Sequence, residues 1–227
     1  MLKTYERRMW FERTSAVRGS RVSRSEASLY TDGLSKAQQR LIDCVRLGGK
    51  TPQLGFEWPC SNTLVWSMHW LSSHPQNVDG CIMEFGVYSG KSLSKMSVCY
   101  PKTQVYAFDS FEGLPEKWAN KLPAGHYNTG GTVPRVSSNV EIVKGQYKDT
   151  LDAFLRVRDG KAFLVHMSCT LHSSTLYVVE NLLKYGWLVA GTVIVFDSFM
   201  NYSAQWVRDG EFAALVDAIE SHPSLKV

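Results

Sequence analysis

From residue 79 onward the chain alternates short apolar runs with segments of helical periodicity, and few folds accept that alternation. The runs are "GCIMEFG", "TQVYAFDS", "VEIVKG", "KAFLVHMS" and "GTVIVFDS". Between them lie "SGKSLSKMSVCY", "YKDTLDAFLRV" and "SSTLYVVENLLKYG", and "GEFAALVDAIE" reads as a closing helix. A short strand followed by a helix is a βαβ unit, and repeated units build a mostly parallel sheet. The runs are apolar almost without a break, as strands covered on both faces must be. The fold class expected is α/β.

Upstream, "DGLSKAQQRLIDCVRL" sets Leu34, Ala37, Leu41, Ile42 and Val45 at helical spacing, with Gly48 and Gly49 as a stop. "SNTLVWSMHWLSSH" predicts a second helix, capped by Ser61 or Asn62, with Leu64, Met68 and Leu71 on one face. Residues 31–78 thus read as an N-terminal helical cap on a domain spanning 79–227. Residues 1–30, rich in Arg and Ser, read as a basic tail or loose helix. A length of 227 residues suits one domain with a single core.

Charge and cysteine usage narrow the classes further. Residues 1–50 carry a net +6 and the remainder about −2. A basic arm can be a solvated segment or a nucleic-acid contact, and the solvated reading is preferred because few such arms are readers. The five cysteines are odd in number, irregularly spaced and form no CxxC pair, which argues against a zinc site or disulfide framework. Reduced thiols of a cytoplasmic protein are expected. No run approaches the roughly 18 apolar residues of a membrane span, and the N-terminus lacks the apolar core of a signal peptide.

The chemistry-bearing residues gather at predicted strand ends. "CIMEFGVYSGKSL" ends an apolar strand on Glu84 and turns through Gly86 and Gly90. The spacing is neither G-x-G-x-x-G nor a P-loop. The turn either links strand to helix or lets the backbone approach a ligand. Asp109 ends the next strand, 25 positions on, where a carboxylate can accept both hydroxyl protons of a ribose. The alternative is a helix N-cap, for which "DSFEG" is suited. "EGLPEKWANKLPAGHYNTGGTVPRVSSN", with four Gly and three Pro, reads as a lid or binding loop.

"EFGVYSGKS", "YAFDSFEGLPEKW", "NVEIVKGQYKDTL", "HMSCTLHSST" and "GTVIVFDSFMNY" together resemble the macrocin O-methyltransferase family. These are class I S-adenosylmethionine-dependent enzymes that methylate sugar hydroxyls. The resemblance covers roughly residues 55–215, and "FDSFEGLPE" is its most specific element. It implies a Rossmann-like, doubly wound sheet with S-adenosylmethionine as cofactor. By resemblance Glu84, Gly86, Ser89, Gly90 and Ser92 border the methionine part and Asp109 holds the ribose. Ser110 and Phe111 lie beside the adenosine, with Gly145 and Gln146 near the adenine.

The chain departs from that family at two places. Where relatives read "H-I-D-C-D-L-Y-S-S-T", Ser168 and Thr170 replace the acids and His172 replaces the tyrosine; Ser198 follows Asp197 where a second acid is usual. Those acids hold magnesium, a hard dication that favours carboxylates, so Mg²⁺ is not expected here. At the C-terminus only "SLKV" remains where a hairpin is usual, so incomplete edge strands are expected. An open edge invites pairing, including with a second copy of the chain.

Three functional readings follow. The first is a metal-independent O-methyltransferase for a small hydroxylated acceptor, such as a sugar. Its catalytic candidates are His172, with Asp197 orienting the imidazole or the substrate hydroxyl, and His166, whose alternative is a strand-end residue bonded to backbone. The others are a domain that binds cofactor without turnover, and a degenerate fold serving nucleic-acid binding or assembly.

Overall fold

A computed structural model describes residues 63–74, 76, 78–118, 122–199 and 209–222, apart from the side chain of Trp66. The basic tail, the helix expected around Leu34–Val45, the caps Ser61 and Asn62, and "SLKV" lie outside the described residues.

Each apolar run forms a strand: β1 (Cys81–Phe85), β2 (Val105–Asp109), β3 (Val140–Lys144), β4 (Ala162–Met167) and β5 (Val193–Phe196). The helical segments form α1 (Thr63–Ser73), α2 (Lys91–Cys99), α3 (Tyr147–Arg156), α4 (His172–Lys184) and α5 (Glu211–Ser221). The sheet runs β3-β2-β1-β4-β5 and every pairing is parallel. The chain therefore moves outward from β1 to β3, then returns to lay β4 on the other side of β1. That reversal leaves a crevice above β1 and β4, where open α/β sheets bind ligands.

Side-chain alternation divides the core between the two faces of the sheet. Met83, Phe85, Phe108, Val165 and Met167 pack with Leu151 and Phe154 of α3 and Val178 and Leu182 of α4. Ile82, Val105, Ala107, Leu164 and Val195 face the other way, onto Leu64, Met68 and Leu71 of α1 and Leu93 and Met96 of α2. The face predicted for α1 is the one buried, and each such side chain contributes about 1.5–3 kcal/mol on burial. Helix α1 is the described part of the segment expected to form an N-terminal helical cap.

The expectation of continuously buried strands holds for β1, buried along its whole length, and fails at β3, where Glu141 and Lys144 are exposed. Strand β3 ends the sheet, so it has one neighbour where β1 has two. Among the described residues, no helix is long and apolar enough to cross a membrane.

Candidate active site

Ile82 points to the α1/α2 face, so Glu84, two residues on and one before the end of β1, points there too. Its register partner in β4 is His166. Both are buried, and His166 Nδ1 lies 2.9 Å from Glu84 Oε1. On the other side His166 Nε2 lies 3.2 Å from Asp197 Oδ1, just past β5. That second contact is an ion pair by distance but is not aligned as a hydrogen bond. His166 is therefore bonded to side chains, not to backbone.

Burial acts to keep His166 neutral, but Asp197 and Glu84 outweigh it and raise its pKa to about 9. Burial pushes the Glu84 carboxyl up, while His166 pulls it back. The His166 ring thus lies between the carboxyl groups of Glu84 and Asp197. Asp197 is the exposed member, at 39%. Glu84 Oε2 is buried and has no hydrogen-bond partner. The Ser92 hydroxyl is near enough to lower the Glu84 pKa without being aligned to bond that oxygen. A buried carboxylate oxygen without a donor is costly, and an ammonium group would satisfy it.

Asp109 is a clamp. Its Oδ2 accepts the N–H groups of Val87 (2.7 Å) and Tyr88 (2.8 Å), and its Oδ1 accepts that of Phe111 (2.7 Å). Neither sequence alternative, N-cap or free ribose acceptor, describes this geometry alone. A carboxylate offers about four acceptor sites, and three are taken.

The turn it clamps is shaped by the chain itself. Gly86 has φ 93, and a Cβ there would stand 2.4 Å from Ser168 O. The ends of β1 and β4 approach that closely because Ser168 N–H donates to Phe85 O at 2.8 Å. Gly90 caps α2 at φ 77, and a Cβ there would press on Pro134 at 3.0 Å. Close packing of the protein on itself thus explains both glycines.

Residues 112–118 and 122–139 make contacts at the strand ends. Phe111 O accepts the N–H groups of Thr129 (3.2 Å) and Gly131 (3.0 Å), and Lys144 Nζ donates to Gly131 O (2.8 Å). The Ser173 hydroxyl donates to Glu116, joining this loop to the start of α4. Tyr88 and Tyr127 meet edge to face at 5.3 Å, both exposed and both at positive φ. Ser89 is exposed, and Ser110 is buried with its Oγ accepting Glu112 N–H. Gly145 N–H donates to Asp109 O, and Gln146 caps α3. The Phe111 ring is buried in the core under α1 and α2, so it presents no free face to an adenine.

Of the two roles expected for Asp197, orienting the His172 imidazole is overturned by the structure. His172 Nε2 lies 2.7 Å from Asp217 Oδ2 on α5, because α4 and α5 pack side by side, while Asp197 is engaged by His166. Glu211 escaped the sequence reading. It is fully buried, and its carboxylate accepts the N–H groups of Thr170 (3.1 Å) and Ser198 (2.8 Å). The only available signal was an acid directly after Gly210 at a helix start, which is common among solvent-facing helices.

The donor set does not fit magnesium. Ser168 and Thr170 offer hydroxyls, Asp197 already faces a charged imidazole, and a dication beside that imidazole would be repelled. Among the described residues, no group of three His, Cys, Asp or Glu side chains is placed to hold a metal ion.

The architecture is that of a Rossmann-like α/β methyltransferase fold. The chain is similar to a crystal structure titled CalS11, calicheamicin methyltransferase, at TM-score 0.55 and 20% identity over 88% of this chain and 86% of that one. An apo structure of CalS11, titled TDP-rhamnose 3'-O-methyltransferase, an enzyme in calicheamicin biosynthesis, gives TM-score 0.49 and 21% identity over 88% of each chain. No family model and no curated protein matches the sequence.

Proposed function

We propose that this chain is an S-adenosylmethionine-dependent O-methyltransferase acting on a small hydroxylated acceptor, in the manner of a sugar. One observation carries the reading: Glu84 Oε2 is a buried carboxylate oxygen without a donor, at the crevice of a sheet whose next strand ends in Asp109. The cofactor's ammonium matches the first group, and a ribose hydroxyl matches the acceptor site still open on Asp109. Gly86, Ser89, Gly90 and Ser92 would border the methionine part, with Ser110, Phe111 backbone, Gly145 and Gln146 around the adenosine. When bound, S-adenosylmethionine supplies an electrophilic methyl group.

The chain's own work is alignment and removal of one proton. His166, buried and held charged, has no lone pair to offer, so its role is to orient Asp197. His172 is half-buried at the start of α4, beside Ser173, which touches the lid. With Asp217 orienting the ring, His172 takes the acceptor proton, and Asp197 holds the hydroxyl. This reading needs no metal.

Replacement of the family's acids by Ser168 and Thr170 favours a second reading, cofactor binding without turnover. Calorimetric titration of the full chain with S-adenosylmethionine tests the shared step. Micromolar binding, lost or weakened at least about 10-fold in Glu84→Gln, is expected for loss of a charged hydrogen bond. No heat at millimolar cofactor would remove both readings. A radiolabelled methyl transferred to a panel of hydroxylated small molecules would separate the first from the second.

A further inference from the structure

We propose that Glu211 is a positioning residue of the acceptor side of the site: its buried carboxylate staples the loop after β4 to the loop after β5, fixing Thr170 and Asp197 in their working places. The functional sense rests on the methyltransferase reading; the staple rests on geometry.

Oε1 of Glu211 accepts Thr170 N–H at 3.1 Å and Oε2 accepts Ser198 N–H at 2.8 Å. Thr170 and Ser198 are two positions at which the resembled family carries acids. Here one carboxylate, brought in from α5, holds the two backbones together. Glu211 is 0% exposed, so it acts through the loops and not by touching substrate.

Local structure commits the residue to this place. Gly210, at φ 88 and ψ −160, turns the chain into α5 in a region that side chains disfavour and sets Glu211 at the first helical position. Thr170 keeps a left-handed φ of 61, a strain that persists only where surroundings hold it. Without the carboxylate, both amides would lose their acceptor.

The charged and titratable groups facing Glu211 are Asp197 and His166 from the strand ends, Cys169 from the loop after β4 and Tyr147 from α3. Burial is the largest influence and raises the Glu211 carboxyl to about 7. Across the neutral range the group passes from carboxyl to carboxylate. The carboxylate accepts fully from both amides, whereas the neutral form has one good acceptor oxygen.

Residue-resolved amide hydrogen exchange on the full chain tests this, in wild type and Glu211→Gln at pH 6 and pH 8, corrected for intrinsic rates. At pH 8 the Thr170 and Ser198 amides should exchange at least about 10-fold faster in Glu211→Gln, since a charged acceptor is lost. The Ile82 amide in β1 should be unchanged. In wild type, protection of the two amides should fall about 3-fold or more from pH 8 to pH 6, and in the variant it should not. Equal exchange in both proteins, or pH-independent protection in wild type, would overturn the staple. The wild-type pH comparison stands even if the variant fails to fold. A parallel titration with S-adenosylhomocysteine should give affinities within about 3-fold in the two proteins. Wild type that binds none would overturn the functional sense alone, leaving the exchange result to decide the staple.

Discussion

Glu84 Oε1 and His166 Nδ1 lie 2.9 Å apart across the β1–β4 ladder, both shielded from water, and Asp197 closes on the imidazole from the far side. The two acidic side chains outweigh burial and raise the His166 pKa to about 9. The ring therefore favours its protonated form near neutral pH, and a protonated ring cannot take another proton. This arrangement also ties the central strand to the loop after β5 through one side chain.

The first prediction concerns stability against pH. His166 has a folded pKa of about 9 against an ordinary 6.5, so between those values the native state holds more protons than the unfolded one. Its contribution is therefore full below about pH 6.5 and disappears as pH rises through 9. The loss is at most about 3 kcal/mol. Urea unfolding of wild type and His166→Asn at pH 6, 7.5 and 9 measures it. The stability gap between the two should narrow as pH rises; a constant gap would contradict the charged imidazole.

Gly86→Ala should destabilise the fold by about 3 kcal/mol, combining left-handed strain with a backbone clash. The clash is with Ser168 O, 2.4 Å from the added carbon. Neighbouring backbone, not ligand, is the obstacle, so the loss should appear without any cofactor present. A urea midpoint equal to that of wild type would show that the β1 and β4 ends can separate.

Asp109→Ala should lower stability and cofactor affinity together. Three backbone amides lose a charged acceptor, which is worth about 1.5–3 kcal/mol for the first of them. Affinity for S-adenosylmethionine should fall about 10- to 100-fold by calorimetry. If stability falls and affinity stays, Asp109 is a structural clamp alone.

His172→Ala should reduce methyl transfer by about 10²–10⁴ while leaving cofactor affinity intact, as loss of a general base would. Asp217→Asn should show a smaller loss in the same direction, because the ring keeps its place but loses its charged partner. A full loss of cofactor binding in His172→Ala would move this residue out of the acceptor side.

Chelation should not affect turnover. Asp197 is the one carboxylate among Ser168, Thr170, Asp197 and Ser198, and it already faces His166. Activity abolished by EDTA and restored by Mg²⁺ would require a metal site assembled from residues that neither strand end supplies.

Sequence alone determined the five strands, the helices among the described residues and the parallel sheet, because apolar runs mark central strands and one-sided burial forces helical periodicity. Leu64, Met68 and Leu71 declared the buried face of α1 by spacing. Glu84 and Asp109 declared themselves as acids in or at the end of apolar runs, Glu84 one residue before the end of β1 and Asp109 at the end of β2. Partnership was beyond its reach. That Asp197 meets His166, that His172 meets Asp217 and that Asp109 spends itself on Val87, Tyr88 and Phe111 depends on strand order and helix packing. Glu211 is the clearest case: 13 residues from Ser198 and 41 from Thr170, it reaches both only after α5 docks beside α4. Periodicity is a local consequence of which face is buried, whereas the environment of a titratable side chain is set by atoms that folding brings from elsewhere in the chain.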